Sequence, residues 1–272
     1  MSQGVVYIAT GERFVEEALL SASSVQRQMP DVPICLFTDL KSIAEDPPPG
    51  IDQVILLTEV TRSCRDKIRP LALSPYKKTL FFDTDTYLVE PVYDLFELLD
   101  RFDIALAHAP DRYQYDLPQL PDCFTELNSG VIAFRNNEEV QGLLALWEKT
   151  FQQMLQKDRG SYRDQHSLRD ALYRSSVRLY ILPQEYNFRT ICPNFAGKHC
   201  NVKIIHGRHA DIEQLAQTLN RNIEARVFLS SPYKFFSQEI RWYDSWVKAA
   251  LNTVFETLPL SIRNRLSALR NR

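Results

Sequence analysis

Short apolar runs alternate with amphipathic segments over most of the chain. Runs rich in β-branched and aromatic residues predict strands at 5–9, 33–38, 54–57, 80–82, 104–107, 131–134, 177–182 and 202–205. Apolar residues at helical spacing predict the helices between them, at 13–28, 64–73, 93–99, 138–156 and 164–173. Strands that alternate with helices from the first residue are typical of an α/β fold. We therefore expect a doubly wound, mostly parallel central sheet flanked by helices.

The pattern changes at residue 211, where the chain becomes more helical in periodicity and more basic. Trp242, Trp246 and Leu251 lie at helical spacing, and the tail 262–272 carries several arginines and no acidic residue. We predict a main domain over 1–210 and a helical, basic C-terminal extension over 211–272. The favoured interpretation is a helix packed on the main domain. The alternative is a peripheral contact with an anionic membrane surface, which tryptophan and arginine on one amphipathic helix would favour.

Composition narrows the class of protein. The 272 residues carry 32 basic and 34 acidic side chains, so no excess of positive charge favours a nucleic-acid partner. Five cysteines without a C-x-x-C pair argue against a disulfide framework and for a reducing compartment. The N-terminus has no signal-peptide pattern, and no apolar run reaches the ~18 residues of a spanning helix. We expect a cytoplasmic protein, with peripheral attachment to the inner face of a membrane left open.

Two aspartates one residue apart follow the apolar run 80–82, which suits a buried central strand. Ligands of open α/β sheets bind beyond the carboxyl ends of the strands, where Asp83 and Asp85 fall. Two carboxylates at this spacing can hold one divalent cation, and hard oxygen ligands favour Mg²⁺ or Mn²⁺. The pair alone also permits a solvated turn with two exposed acids.

A second chemical interpretation is a phosphatase of the haloacid-dehalogenase type, which also places an Asp-x-Asp pair after an apolar strand. In such an enzyme Asp83 would be the nucleophile and Asp85 the acid/base. That family carries the pair on the first strand of its fold, whereas at least three predicted strands precede it here. Tyr87 also stands where that family has threonine or valine. The sequence therefore favours the metal-binding interpretation.

Further segments accompany the aspartate pair in a fixed order along the chain. They are 5–19, Lys67, Asp83-Thr84-Asp85, 109–111, 127–134, Asp164-Gln165 and 204–207. In this order they resemble the nucleotide-sugar glycosyltransferases of the GT-A fold, in particular family eight, which contains glycogenin and bacterial galactosyltransferases. The resemblance covers residues 5 to about 209 and rests on the ordered set rather than on any single motif.

The resemblance implies a role for each matching residue. A Mn²⁺ (or Mg²⁺) site is implied for Asp83, Asp85 and His206. Catalytic roles are implied for Asp111, Asp164 and Gln165. Donor binding is implied for Ile8, Ala9, Thr10, Phe14, Lys67, Thr84, Asn128, Ser129, Gly207 and Arg208. The segment 207–209 departs from the family pattern of glycine and lysine after the metal histidine, and Arg208 is the expected substitute contact for the diphosphate.

The implied function is the transfer of a hexose from a nucleotide diphosphate sugar, most simply a UDP-sugar, to a hydroxyl acceptor, with retention at the anomeric carbon. A divalent cation together with Lys67 or Arg208 would offset the charge of the leaving diphosphate. Alternatives stay open at single positions: Asp164 as an ordinary N-cap, His206 as a strand-end histidine, and a zinc site among the histidines and cysteines of 192–209. A catalytically silent nucleotide-sugar-binding protein is the alternative to an enzyme.

Overall fold

The computed structural model describes residues 2–61, 64–109, 117–157, 163–191, 193–221, 224–229 and 239–242. The strands are β1 Gln3–Ala9, β2 Ile34–Thr38, β3 Gln53–Leu56, β4 Lys78–Phe82, β5 Thr86–Leu88, β6 Ile104–His108, β7 Leu127–Arg135, β8 Leu179–Leu182, β9 Phe188–Arg189, β10 Asn194–Ala196, β11 Ile204–His206, β12 Arg226–Leu229 and β13 Glu239–Trp242. The helices are α1 Glu12–Gln28, α2 Lys41–Glu45, α3 Arg65–Leu71, α4 Tyr93–Leu98, α5 Glu138–Lys157, α6 Asp164–Arg174 and α7 Ile212–Leu219, with a 3₁₀ turn at Gln184–Tyr186.

A central sheet of seven strands runs in the order β3-β2-β1-β4-β7-β6-β8. Strands β1 to β4 are parallel, β7 is antiparallel to both of its neighbours, and β8 is parallel to β6. The predicted α/β class with a mostly parallel central sheet is confirmed. Residues 80–82 of the central strand β4 are all buried, as the uninterrupted apolar run predicts, and Thr79 is buried with them.

Helices cover both faces of this sheet. Val5 and Tyr7 of β1 share one core with apolar side chains of α1 and α4. Val6, which points to the other face, shares a second core with side chains of α3, α5 and α6. Burial on both faces explains why the strands appear in the sequence as continuous apolar runs rather than as an alternation of apolar and polar residues.

Two three-stranded sheets complete the described fold, with the orders β5-β11-β9 and β10-β12-β13. Strand β11 is antiparallel to β5, with His206 opposite Thr86, and parallel to β9. Because β5 begins directly after the Asp83-Thr84-Asp85 turn, this pairing brings a strand from late in the chain to the carboxyl end of β4. The candidate site lies at that junction.

The region after residue 211 contains more strand than its sequence predicts. Helix α7 is present, but β12 and β13 form an antiparallel pair, and β12 also pairs with β10. Trp242, which we expected on a helix, lies in β13. Burial alternates along Arg226–Leu229, as expected for a strand whose successive side chains point to opposite faces of the sheet. Residues 243–272 lie outside the described residues, so the boundary at 210, the basic helix and its membrane contact stay predictions.

None of the helices within the described ranges combines enough length with enough apolar character to cross a bilayer.

Candidate active site

Asp83, Asp85 and His206 converge at the carboxyl end of β4. Each offers one ligand atom, and the three atoms lie within 4.8 Å of one another. Nε2 of His206 is 3.3 Å from Oδ1 of Asp85 and 3.6 Å from Oδ2 of Asp83. Two carboxylates and one imidazole are a donor set that suits Mn²⁺, and Mg²⁺ less well. The residues present therefore fit a divalent cation.

Gly130 of β7 makes room for this cluster, although the sequence did not single it out. A Cβ atom at Gly130 would lie 1.9 Å from Cε1 of His206 and 2.7 Å from Oδ2 of Asp83. The carbonyl oxygen of Gly130 also accepts the backbone N–H of Asp83 at 2.8 Å. The same residue thus fixes the aspartate turn and leaves the space in which the imidazole approaches it.

Neighbouring charges keep the cluster in a form that can bind a cation. Burial raises the pKa of Asp85, but the close contact with His206 and the positive charges of Arg189 and Arg208 outweigh it, so the pKa lies below its usual range. Burial and the charge of Arg189 lower the pKa of His206. An ionised carboxylate and a neutral imidazole are the states that metal binding requires.

Asn187 and Arg189 enclose the buried ring of His206. Oδ1 of Asn187 is 2.8 Å from Nδ1 of His206, and Nδ2 of Asn187 donates to Oδ1 of Asn128 at 2.8 Å. Nη1 of Arg189 contacts both ring nitrogens, with the shorter contact to Nε2. Neither Asn187 nor Arg189 was identified from the sequence, because the segment around β9 carries no motif.

Lys67 bridges the aspartate turn and Asp164. Its Nζ lies 3.2 Å from Oδ1 of Asp83, 3.0 Å from Oδ2 of Asp164 and 3.0 Å from Oγ of Ser129. Burial alone would lower the pKa of Lys67, but the two carboxylates raise it well above its usual value. Burial likewise raises the pKa of Asp164, and Lys67 with Ser129 lowers it further than burial raises it. Lys67 therefore holds two ionised carboxylates together.

Asp164 does not cap the helix that it opens. Arg163 occupies the N-cap position with extended dihedral angles, and Asp164 is the first helical residue. Its Oδ2 accepts a hydrogen bond from Oγ of Ser129 at 2.7 Å and faces Lys67. The N-cap alternative from the sequence is therefore wrong for this side chain.

The neighbouring residue Gln165 joins the same network. Its Oε1 accepts from Nδ2 of Asn128 at 3.1 Å. Both Asn128 and Ser129 lie in β7, which begins four residues earlier than the apolar run 131–134 predicts. The structure thus brings together two predicted donor-binding residues, Asn128 and Ser129, and two predicted catalytic residues, Asp164 and Gln165. Asp111, the remaining predicted catalytic residue, lies outside the described residues.

The predicted donor loop lies at the same edge of the sheet. Ile8 and Ala9 end β1, which is parallel to β4, and Thr10 follows them. Phe14, in the first turn of α1, is 42% exposed. The guanidinium of Arg208 lies 5.9 Å from the centroid of its ring. A partly exposed aromatic ring therefore lies beside the predicted diphosphate contact.

Arg208 is held from α1 by Glu17, which the sequence did not identify. Nε and Nη2 of Arg208 donate to the two carboxylate oxygens of Glu17 at 2.8 and 2.7 Å, while Nη1 lies 3.8 Å from Oδ2 of Asp85. Thr84 donates to Oε2 of Glu17 at 3.2 Å. Gly207 adopts a φ of 124° and donates its N–H to the carbonyl oxygen of Asp85 at 2.8 Å.

The zinc alternative receives no support from the described part of 192–209. Among the described residues, the Asp83, Asp85 and His206 cluster is the one group of three or more histidine, cysteine or acidic side chains with metal-binding geometry. His209 instead contacts the carbonyl oxygen of Asp211 through Nδ1 at 2.7 Å. Cys192 lies outside the described residues.

Similarity to known proteins appears in the fold rather than in the sequence. No family model matches the sequence, and no curated protein is similar to it in sequence. The solved structures with a similar fold include two of the glycosyltransferase GlyE from Streptococcus pneumoniae TIGR4. One has a TM-score of 0.52 at 16% identity and covers 70% of this chain and 48% of that one. The other, an apo form, has a TM-score of 0.53 at 16% identity and covers 78% and 55%.

The chain therefore spans about half the length of the two GlyE structures that it matches. At this level of identity the likeness concerns the fold alone. It supports the predicted glycosyltransferase fold without assigning the chain to family eight. What the chain shares with GlyE is a glycosyltransferase fold.

Proposed function

We propose that the chain is a metal-dependent glycosyltransferase that moves a hexose from a nucleotide diphosphate sugar, most simply a UDP-sugar, to a hydroxyl acceptor with retention at the anomeric carbon. The observation that carries the proposal is the convergence of Asp83, Asp85 and His206 beside the Lys67–Asp164 pair. The fold shared with GlyE supports the same reaction class.

On the donor side, the cluster would hold Mn²⁺ (or Mg²⁺), which when bound offsets the charge of the leaving diphosphate. Arg208 complements it, because Glu17 engages Nε and Nη2 and leaves Nη1 facing Asp85. The exposed ring of Phe14 beside Arg208 offers a surface on which a nucleobase can stack. The end of β1, at Ile8 to Thr10, places backbone groups at the same edge.

Lys67 acts in this proposal by holding carboxylates rather than by reaching the donor. An ammonium has three N–H donors, and three side chains surround Nζ at hydrogen-bonding distance: Asp83, Asp164 and Ser129. The lysine thereby sets the separation between the aspartate turn and Asp164. That separation links the cation side of the site to the sugar side.

On the sugar side, Asp164 supplies negative charge. Its lowered pKa makes it a poor general base, but an ionised carboxylate stabilises the positive charge of an oxocarbenium-like centre. Gln165 and Asn128, which are hydrogen-bonded to each other, offer amide groups for sugar hydroxyls. These side chains orient the sugar. Holding the reacting groups in the right geometry contributes much of the rate of such a transfer.

The proposal is tested by screening nucleotide sugars for hydrolysis in the presence of Mn²⁺, with and without a chelator. Slow release of sugar from one UDP-sugar, lost with the chelator, is the expected result. A generic phosphomonoester serves as the comparison substrate, because a phosphatase using Asp83 as nucleophile would release phosphate from it and leave UDP-sugars intact. UDP-sugar binding without any turnover, with or without acceptor alcohols, would instead favour a binding protein.

A further inference from the structure

We propose that Asn187 is a positioning residue that selects the tautomer of His206, so that Nε2 carries the lone pair facing Asp83 and Asp85. The inference deepens the proposed function, because the lone pair matters through the cation that the three side chains would hold. It concerns the metal-free protein first, where the tautomer can be observed without any assumption about activity.

A backbone N–H fixes the orientation of the Asn128 side chain. The N–H of Gly130 donates to the side chain of Asn128 at 3.0 Å. A backbone N–H can only donate, so the Asn128 atom that faces it must be the oxygen, Oδ1. The other end of the same amide, Nδ2, then faces Oε1 of Gln165 at 3.1 Å, as a donor should. Both contacts therefore assign the same orientation to Asn128.

The orientation passes from Asn128 to Asn187 and from there to the histidine. Oδ1 of Asn128 lies 2.8 Å from Asn187, and an acceptor oxygen requires the amide nitrogen of Asn187 opposite it. Oδ1 of Asn187 consequently faces Nδ1 of His206 at 2.8 Å. An amide oxygen can only accept, so Nδ1 carries the proton. A neutral imidazole has one N–H, which leaves the lone pair on Nε2.

Arg189 lies at both ring nitrogens, so its position does not choose between the two tautomers. Nη1 of Arg189 contacts Nδ1 of His206 at 2.7 Å and makes a shorter contact to Nε2. A guanidinium only donates, so either tautomer offers it one lone pair. The tautomer is therefore set by the amide chain from Gly130 to Asn187.

Burial of the hydrogen-bonded side chains strengthens the preference of His206 for the Nδ1–H tautomer. Asn128, Asn187 and His206 are 4%, 1% and 2% exposed, so water cannot replace a lost partner. Without Asn187 the opposite tautomer becomes attractive, because an Nε2–H could donate to Asp85, whose Oδ1 is 3.3 Å away. That hydrogen bond would use the nitrogen needed for the cation. Asn187 opposes this arrangement, since it accepts only from a protonated Nδ1.

The experiment observes the tautomer directly in the full chain without metal. ¹⁵N NMR of protein labelled at histidine reports which ring nitrogen is protonated, and the spectrum of His206→Gln identifies the His206 signals. We expect Nδ1–H in the unaltered protein and a shift toward Nε2–H in Asn187→Ala. Calorimetric titration with Mn²⁺ should then show about 10- to 100-fold weaker binding for Asn187→Ala, as for other outer partners of metal-bound histidines.

Two further variants separate positioning from a general loss of structure. Asn187→Asp loses the N–H that Asn187 donates to Asn128 but keeps an acceptor oxygen opposite Nδ1, so it should retain the Nδ1–H tautomer even if Asn187→Ala folds poorly. Asn194→Ala removes another buried asparagine amide, whose Oδ1 accepts from the N–H of Phe195, and should leave both the tautomer and Mn²⁺ affinity unchanged.

An Nε2–H tautomer in the unaltered protein would overturn the proposal, and so would a tautomer that Asn187→Ala leaves unchanged. Equal loss of Mn²⁺ affinity in Asn187→Ala and Asn194→Ala would also overturn it. If the unaltered protein binds no Mn²⁺ at all, the proposed function fails in its metal requirement. The NMR result still decides the role of Asn187 in that case.

Discussion

The two sides of the candidate site use similar ion pairs in different surroundings. Lys67 lies among core elements, and the side chains of Lys67 and Asp164 are 15% and 10% exposed. Arg208 follows the three-residue strand β11, and the side chains of Arg208 and Glu17 are 51% and 21% exposed. Breaking a buried pair leaves a charge that water cannot solvate, whereas a half-exposed pair is screened. The distances within the two pairs therefore do not predict which contributes more to stability, whereas the burial of their side chains does.

The largest effect is expected for Lys67→Met. The substitution removes the lysine ammonium that the carboxylates of Asp83 and Asp164 share, which should lower the free energy of unfolding by about 3–5 kcal/mol. Urea denaturation in the absence of metal measures it. Arg208→Met is the matched control, with an expected loss below about 1 kcal/mol. Equal losses in the two variants would contradict the contrast between the two sides.

Asp164→Asn should affect chemistry more than donor binding. Removing the charge that faces the sugar should slow UDP-sugar hydrolysis by about 10²- to 10³-fold, the usual cost of one electrostatic contact made in the transition state. UDP affinity measured by calorimetry should stay nearly unchanged, because Asp164 contacts Lys67 and Ser129 rather than the aspartates of the cation cluster. A parallel fall in affinity would make Asp164 a donor-binding or folding residue instead.

Gly130→Ala tests the space that Gly130 leaves for His206 and Asp83. Its Cβ would press on His206 and Asp83, so we expect a loss of about 1–3 kcal/mol in stability together with loss of Mn²⁺ binding. Gly142→Ala in α5 is the matched control, since a Cβ there meets nothing within 4 Å and alanine should stabilise the helix by about 0.5–1 kcal/mol. Normal Mn²⁺ affinity in Gly130→Ala would show that the cluster is more adaptable than its geometry indicates.

The smallest effect is expected for Glu17→Gln. Arg208 would lose the partner that orients its guanidinium, and UDP affinity should fall by about two- to fivefold, as for a screened pair. Glu16→Gln alters the adjacent exposed glutamate and should leave affinity unchanged. A tenfold or larger loss in Glu17→Gln would place Glu17 among the main determinants of donor binding, and a gain would indicate that it competes with the diphosphate.

The sequence predicts the parts of the fold whose signal is local. The apolar run 80–82 predicts the buried strand β4 and places Asp83 and Asp85 at its end, as the structure does. Helical periodicity, which is also a local signal, predicts α1 and α5. The predictions were less accurate where tertiary contacts decide the conformation. Asn128 and Ser129 extend β7 because they are buried polar residues with partners, which an apolar pattern does not reveal.

Within the site, the residues that the sequence missed act on partners distant in the chain. Gly130 matters because His206 packs against it, and Asn187 matters because it lies between Asn128 and His206. No local spacing reports such a contact. Glu17 is similar, since only the fold brings it to Arg208. The resemblance to a known family located the groups that would bind the cation and sugar, and the structure added the residues that support them.

The central claim is that a cation held by Asp83, Asp85 and His206 binds the diphosphate of the donor, and calorimetric titration with UDP tests it most directly. The account predicts UDP binding in Mn²⁺ that is lost with a chelator and lost in Asp85→Ala, while Asp46→Ala, an exposed loop aspartate, binds as the unaltered protein does. Tight UDP binding that neither the chelator nor Asp85→Ala changes would contradict it.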